Sequence, residues 1–132
     1  MNYSSERLIP YDDSVLTALE MFPHMRERFP EVLLDSDENP APYVFFGSVF
    51  NYYLRETRAT EQVSMLARFL ERLVRDGDAN LVELLRIEVV PVFIENQENV
   101  DRYWKDLGEA TRAMLREVNT MHGIPITLPE AE

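Results

Sequence analysis

Apolar residues recur at helical spacing through most of this chain, most clearly in residues 61–76. The apolar residues that repeat at helical spacing in this stretch include Leu66, Phe69, Leu70, Leu73 and Val74. Its polar positions include Ser64, Arg68, Glu71, Arg72 and Arg75. This spacing forms an amphipathic helix with one apolar face. A short acidic turn around Gly77 then breaks the pattern, and a second, almost wholly apolar run begins at Leu81. We therefore predict an antiparallel helical hairpin over residues 61–93.

The residues of the turn have local reasons to end one helix and begin the next. Gly77 can adopt the left-handed conformation that ends a helix, because glycine has no Cβ penalty there. Asp78 can accept hydrogen bonds from the free N–H groups that open the following helix. We predict the left-handed conformation at Gly77 and a side-chain cap at Asp78.

Pro91 lies inside the second apolar run and complicates its prediction. An interior proline removes a helical hydrogen bond and costs about 3 kcal/mol or more. Its neighbours Val89, Val90 and Val92 are β-branched and also suit a strand. Because the spacing before Pro91 is helical, we favour a helix kinked or ended near Val90, with a strand over residues 89–93 as the alternative.

Residues 44–57 predict a further helix that is unusually rich in aromatic side chains. Its apolar face consists of Phe46, Val49, Phe50, Tyr53 and Leu54. Gly47 lies in this face, where a helix-interior glycine costs about 1 kcal/mol. The close approach of another helix explains it most simply. Since aromatic residues also favour sheets, a strand over residues 43–46 is the alternative.

The rest of the chain predicts helices separated by irregular segments. A short helix fits residues 12–22, and a longer helical stripe runs from Val100 to Val118, with a division near residues 105–107 as the alternative. The irregular segments are an N-terminal tail over 1–11, an acidic, proline-containing loop over 35–42 and an extended C-terminal tail over 124–132. We predict one all-α domain, residues 1–132, of five or six helices. Its antiparallel hairpins would pack as a bundle or as a short helical-repeat-like stack.

Composition and charge narrow the class of protein. The chain has 132 residues, no cysteine and a formal charge of −11 from 24 acidic and 13 basic residues. Without cysteine, disulfides and thiolate metal sites are excluded. The acidity argues against nucleic-acid binding, which needs a basic surface, and permits a basic protein partner. No apolar run approaches about 20 residues and no signal-peptide layout is visible, so we expect no membrane span and a cytoplasmic protein.

Side chains that commonly carry chemistry are few and scattered. The four glycines are isolated, which excludes a glycine-rich phosphate-binding loop. His24 and His122 each lack a second histidine three or four residues away, which argues against a zinc site. We expect both histidines to be exposed at helix ends, and we predict no catalytic residue, no cofactor and no metal.

Glu88 is the first candidate for a functional side chain, because it lies in the most apolar helix. A buried carboxyl there would have a raised pKa and would suit acid or base chemistry. The alternative is an exposed position with Arg86 or Arg72 nearby.

Three further acids, Glu95, Glu98 and Asp101, are spaced three residues apart and would share one side of a helix. They would bind a cation or form a solvated face.

The tyrosines of the aromatic segment are candidates for an interface or the wall of a pocket, because tyrosine is enriched at protein contacts. Tyr43 and Tyr52 fall outside the apolar face, and Tyr53 lies within it.

Three stretches together resemble a known family: VFFGSVFNYYL (residues 44–54), FLERLVRDGD (residues 69–78) and LGEATRAML (residues 107–115). They are similar to a family of small bacterial all-helical proteins of unknown function, loosely similar to immunity proteins of bacterial toxin systems. The resemblance covers residues 43–118 and departs from the family pattern at Pro91. It implies an all-helical fold and a bacterial source, and it carries no catalytic residue across.

These observations lead to one functional hypothesis and two alternatives. The hypothesis is a non-enzymatic protein-binding module, an acidic immunity-type protein that binds a basic toxin. The first alternative is a ligand-binding or enzymatic protein with a pocket between the aromatic helix 44–57 and the hairpin 61–93, using Glu88 and a tyrosine. The second is a homodimer formed through the exposed tyrosines and the C-terminal tail.

Overall fold

A computed structural model describes residues 8–28, 41–122 and 126–129, and in this part of the chain all regular structure is helical. Its seven continuous helices are α1 (residues 11–21), α2 (Met25–Arg28), α3 (residues 42–56), α4 (Thr60–Asp76), α5 (residues 79–94), α6 (residues 97–106) and α7 (Glu109–His122). The predicted all-α class is confirmed for these residues, and both strand alternatives, over residues 43–46 and 89–93, are wrong.

The described residues alone contain seven helices, against the five or six predicted, and two features account for the difference. A separate short helix, Met25–Arg28, follows Pro23. The stripe from Val100 to Val118 is divided between α6 and α7: α6 ends in a 3₁₀ turn, Trp104–Asp106, and α7 begins at Glu109. The alternative of a division near residues 105–107 is therefore the one observed.

Some sequence predictions lie outside the described residues. Most of the predicted loop over residues 35–42 is among them, although Pro42 itself begins α3, where a first-turn proline is well tolerated. The outer parts of both tails are also outside. Residues 126–129 have no regular secondary structure, and the extended conformation of the C-terminal tail stays a prediction.

The core is aromatic and closely packed. Its largest fully buried side chains include Tyr103, Phe45, Phe46, Phe50 and Phe93. The Phe46 ring meets two neighbouring rings edge-on: its centroid lies 5.1 Å from that of Phe45 and 5.2 Å from that of Phe50. Helix α4 contacts α5, α6 and α7, so it lies at the centre of the described fold.

The turn between α4 and α5 corrects one prediction and confirms another. Gly77 is extended, with φ −71° and ψ 154°, so the predicted left-handed conformation is wrong. Glycine is needed for space instead: a Cβ there would lie 2.5 Å from the Leu73 carbonyl oxygen and 2.9 Å from the Leu81 side chain. The cap is confirmed, since the Asp78 carboxylate accepts a hydrogen bond from the Leu81 N–H at 2.9 Å.

Helix α5 continues past Pro91 by changing its hydrogen-bonding register. Residues Leu85–Val89 form a π-helical turn, in which the Val90 N–H donates to the Leu85 carbonyl oxygen. Residues Val90–Ile94 then form a 3₁₀ turn. The register change lets the chain continue through a residue that has no N–H to donate. A helix rather than a strand is therefore confirmed over this stretch, but an end near Val90 is wrong, because α5 runs on to Ile94.

Both described tail segments are tied to the helices by paired hydrogen bonds. At the N-terminal side, the Ile9 N–H donates to the Asp76 carbonyl oxygen at 2.7 Å, and the Asp78 N–H donates to the Ile9 carbonyl oxygen at 3.0 Å. At the C-terminal side, the Thr127 N–H donates to the Gln97 side chain at 2.9 Å, and the Gln97 amide donates back to the Thr127 carbonyl oxygen at 2.7 Å.

Candidate functional site

An open groove of about 370 Å³ lies between the end of α1 and the exposed face of α4. We call it the methionine–arginine groove, and it is lined by Met21, Met65, Arg68, Phe69 and Arg72. Its methionines are 42% and 38% exposed, whereas Phe69 is buried beneath them. The groove therefore exposes the two methionine side chains to solvent, and the buried Phe69 ring forms its base.

The floor is held in place by aromatic packing. The Phe69 ring meets the Phe22 ring edge-on at 5.4 Å and lies 6.2 Å from the Phe50 ring. Since Phe22 directly follows Met21, this contact fixes the end of α1 against α4. The walls are more adaptable, because a methionine side chain has three rotatable bonds and a polarisable sulfur.

Two arginines of the groove, Arg68 and Arg72, lie on the exposed side of α4. Within the described residues, Arg68 and Arg72 have no ion pair and no hydrogen bond, and both are exposed. By contrast, Arg55 is paired with a carboxylate, and Arg86 contacts two. The described chain therefore presents two guanidinium groups without an ion pair beside the exposed methionines.

Glu88 lies at the contact between α3 and α5 rather than in the groove. Its side chain is half-buried, and its Oε1 atom would be 3.2 Å from a Cβ placed on Gly47. The Asn51 amide donates to the Glu88 backbone carbonyl at 2.7 Å. The close approach predicted at Gly47 is confirmed, and Arg86 pairs with other acids, at Glu83 and Glu117.

The structure does not bring the three candidate acids together as a cation site. Glu95 precedes α6 and accepts two hydrogen bonds from Arg55, at 2.9 and 2.7 Å. Hydrogen bonding to Glu95 is the main cause of a raised pKa of Arg55. Glu98 is exposed, and Asp101 accepts a hydrogen bond from Gln97 at 3.2 Å. Among residues 8–28, 41–122 and 126–129, no group of three or more acidic or histidine side chains could hold a metal.

The tyrosines lie along α3, away from the groove lining. Tyr43 is 58% exposed at the start of the helix. Tyr52 and Tyr53 are half-buried and meet edge-on, with ring centroids 5.3 Å apart. The Tyr53 ring also contacts the ring of His24 at 5.1 Å. His24 is exposed, as predicted, whereas the side chain of His122 lies outside the described part.

The groove was missed from the sequence because its two sides come from separate helices. The helical pattern correctly placed Arg68 and Arg72 on the polar side of α4. The exposed Met65, which lies three residues before Arg68, was the available signal. Nothing local indicated that Met21 would lie opposite it.

In the described residues, these features define a small helical domain with an exposed apolar groove flanked by two arginines that have no ion pair. The chain belongs to a family described as a domain of unknown function, DUF7674, whose profile matches residues 16–123. The matched stretch includes each of the described residues that line the groove. Comparisons with curated proteins and with solved structures give no match. In the described part of the chain, no helix combines the length and apolar character needed to cross a membrane.

Proposed function

We propose that this chain is a non-catalytic protein-binding module and that it binds its partner through the methionine–arginine groove. The observation that supports the proposal is the pair of exposed methionines, Met21 and Met65, above the buried ring of Phe69. Clustered exposed apolar side chains with a polar rim are typical of interaction sites. Methionine is common on surfaces that accept varied partners.

The shape of the groove favours a protein over a small molecule. Its volume of about 370 Å³ is within the range of ligand sites. Such sites, however, usually enclose most of the ligand surface. Here the walls are roughly two-fifths exposed, at 42% for Met21 and 38% for Met65. An open groove suits side chains that project from a partner whose remaining surface covers the rim.

A second candidate follows from the charge of the whole chain. With 24 acidic and 13 basic residues, its field would attract a basic partner and speed the encounter. The resemblance to immunity-type proteins of bacteria favours the same interpretation, with a basic toxin as the partner. Binding of this kind would weaken as ionic strength rises. A toxin gene next to the gene for this chain would support it, and a chromosomal neighbourhood without one would count against it.

The groove proposal is tested by matched substitutions in protein recovered from the native host. Met65→Glu places a charge in the groove, whereas Leu16→Glu places one at a similarly exposed position of α1 that does not line it, since Leu16 is 43% exposed. We expect co-purifying proteins to be lost from Met65→Glu and retained by Leu16→Glu. Recovery of the same set of proteins with the unsubstituted chain, with Met65→Glu and with Leu16→Glu would contradict the proposal.

A further inference from the structure

We propose that the methionine–arginine groove binds an acidic amphipathic helix of the partner protein. In this arrangement the apolar face of that helix covers Met21, Met65 and Phe69, and its carboxylates pair with Arg68 and Arg72. The inference rests on the proposed function and adds the chemistry of the bound segment.

The spacing of the groove residues fits a helix. Met65, Arg68 and Arg72 are three and four residues apart on α4, so they form one row along its exposed side. Arg68 and Arg72 are one turn apart, about 6 Å along the axis. Carboxylates four residues apart on a partner helix have the same separation and can meet both guanidinium groups at once.

The chemistry of the two arginines favours carboxylates. A guanidinium group presents a planar set of donors that matches a carboxylate in two-point hydrogen bonds. Both arginines are without an ion pair in the described chain, so neither has to leave an existing partner. Arg75, the next basic residue along α4, already has an acidic partner, because its Nε atom lies 3.6 Å from the Oδ1 atom of Asp76.

The charge of the groove is opposite to that of the whole chain. At physiological ionic strength, charges more than about 8 Å apart in solvent are largely screened, so the two adjacent arginines dominate at contact. A basic helix would instead place like charges against Arg68 and Arg72. A fatty acid offers one carboxylate for two arginines and leaves its alkyl chain partly in water in an open groove.

The test uses three synthetic peptides of about 18 residues, roughly 27 Å long when helical. Each has leucine on one face; the opposite face carries glutamate, glutamine or lysine. Binding to the full chain is measured by fluorescence anisotropy. We expect the glutamate peptide to bind roughly tenfold more tightly than the glutamine peptide, as two exposed ion pairs allow.

A double substitution and a matched control test the role of the groove arginines. Arg68→Glu with Arg72→Glu should remove the preference for the glutamate peptide. Arg26→Glu with Lys105→Glu changes the formal charge equally at two exposed basic residues that do not line the groove, and it should retain the preference. Equal loss in both variants would mean that total charge sets the preference, and the inference would be wrong.

The remaining outcomes separate this inference from the proposed function. If the glutamine peptide binds as tightly as the glutamate peptide and Met65→Glu weakens both, the groove binds helices without a charge preference and only this inference fails. If the lysine peptide binds most tightly and Met65→Glu has no effect, the acidic surface is the binding site and both fail. Binding of none of the peptides, as expected for a groove filled by a second copy or by this chain itself, also overturns both. Displacement of the glutamate peptide by dodecanoate at equal stoichiometry would assign the groove to a fatty acid.

Discussion

At the scale of single residues, Tyr103 shows how the core determines the protonation state of one buried hydroxyl group. The side chain is fully buried, and its hydroxyl donates a hydrogen bond to the Leu54 carbonyl oxygen at 2.8 Å. Burial raises the pKa of Tyr103 to about 12. The ordinary value is about 10, so the folded state holds this proton more tightly than the unfolded chain does.

This difference predicts a loss of stability in alkali. Because the folded-state pKa of Tyr103 is the higher one, its contribution is complete below about pH 10 and is lost as pH rises through about 12. The loss amounts to about 2 to 3 kcal/mol at most. Urea unfolding at a series of pH values measures it, and Tyr103→Phe should flatten the slope in this window while lowering stability at neutral pH by about 1 kcal/mol. A Tyr103→Phe slope identical to that of Tyr43→Phe, which removes an exposed hydroxyl, would contradict the account.

At the scale of elements, Glu71 joins two helices. Its carboxylate on α4 accepts hydrogen bonds from the Ala110 N–H at 3.2 Å, the Thr111 N–H at 2.9 Å and the Thr111 hydroxyl at 2.8 Å. These groups lie in the first turn of α7, where a negative charge is favoured by the helix dipole. A Cβ at Gly108 would overlap the Glu71 side chain, so the glycine before α7 is explained by this contact.

Removal of this carboxylate should loosen α7 from α4. We expect Glu71→Ala to lower the free energy of unfolding by about 2 kcal/mol, because N–H groups at the start of α7 lose their partner. Chemical denaturation measures the change, and Glu20→Ala, at an exposed acid near the end of α1, should change it by less than about 0.5 kcal/mol. Equal effects of the two substitutions would mean that the contact does not stabilise the fold.

The elements also show which features a sequence can predict. The cap at Asp78 was predictable because it needs only a few neighbouring residues. The helix boundary near residues 105–107 also depends on local sequence. The extended conformation of Gly77 depends on how closely Leu73 and Leu81 approach across the turn. Helix α3 also contains a π-helical turn, Phe45–Phe50, which meets the π-helical turn of α5 at Gly47. Neither turn was predicted, because their contact involves residues far apart in the chain.

At the scale of the whole molecule, helical periodicity was sufficient for the class of fold and not for the groove. The predicted class required only the spacing of apolar residues within each helix. The groove depends on the placement of α1 against α4, which the Phe22–Phe69 contact sets. The candidates chosen from the sequence, such as Glu88 and Glu95, were selected for their chemical type. They lie in helix contacts and an ion pair outside the groove lining.

The most direct test of the central claim follows the methyl groups of the methionines by NMR while the neutral leucine–glutamine peptide is added. We predict that the Met21 and Met65 signals shift together and saturate, whereas the signal of buried Met114 stays in place. Met121, which is 70% exposed and does not line the groove, serves as the control for non-specific apolar binding. Shifts of Met121 equal to those of Met21 and Met65, or no shift at either groove methionine, would contradict the assignment of the groove as a protein-binding site.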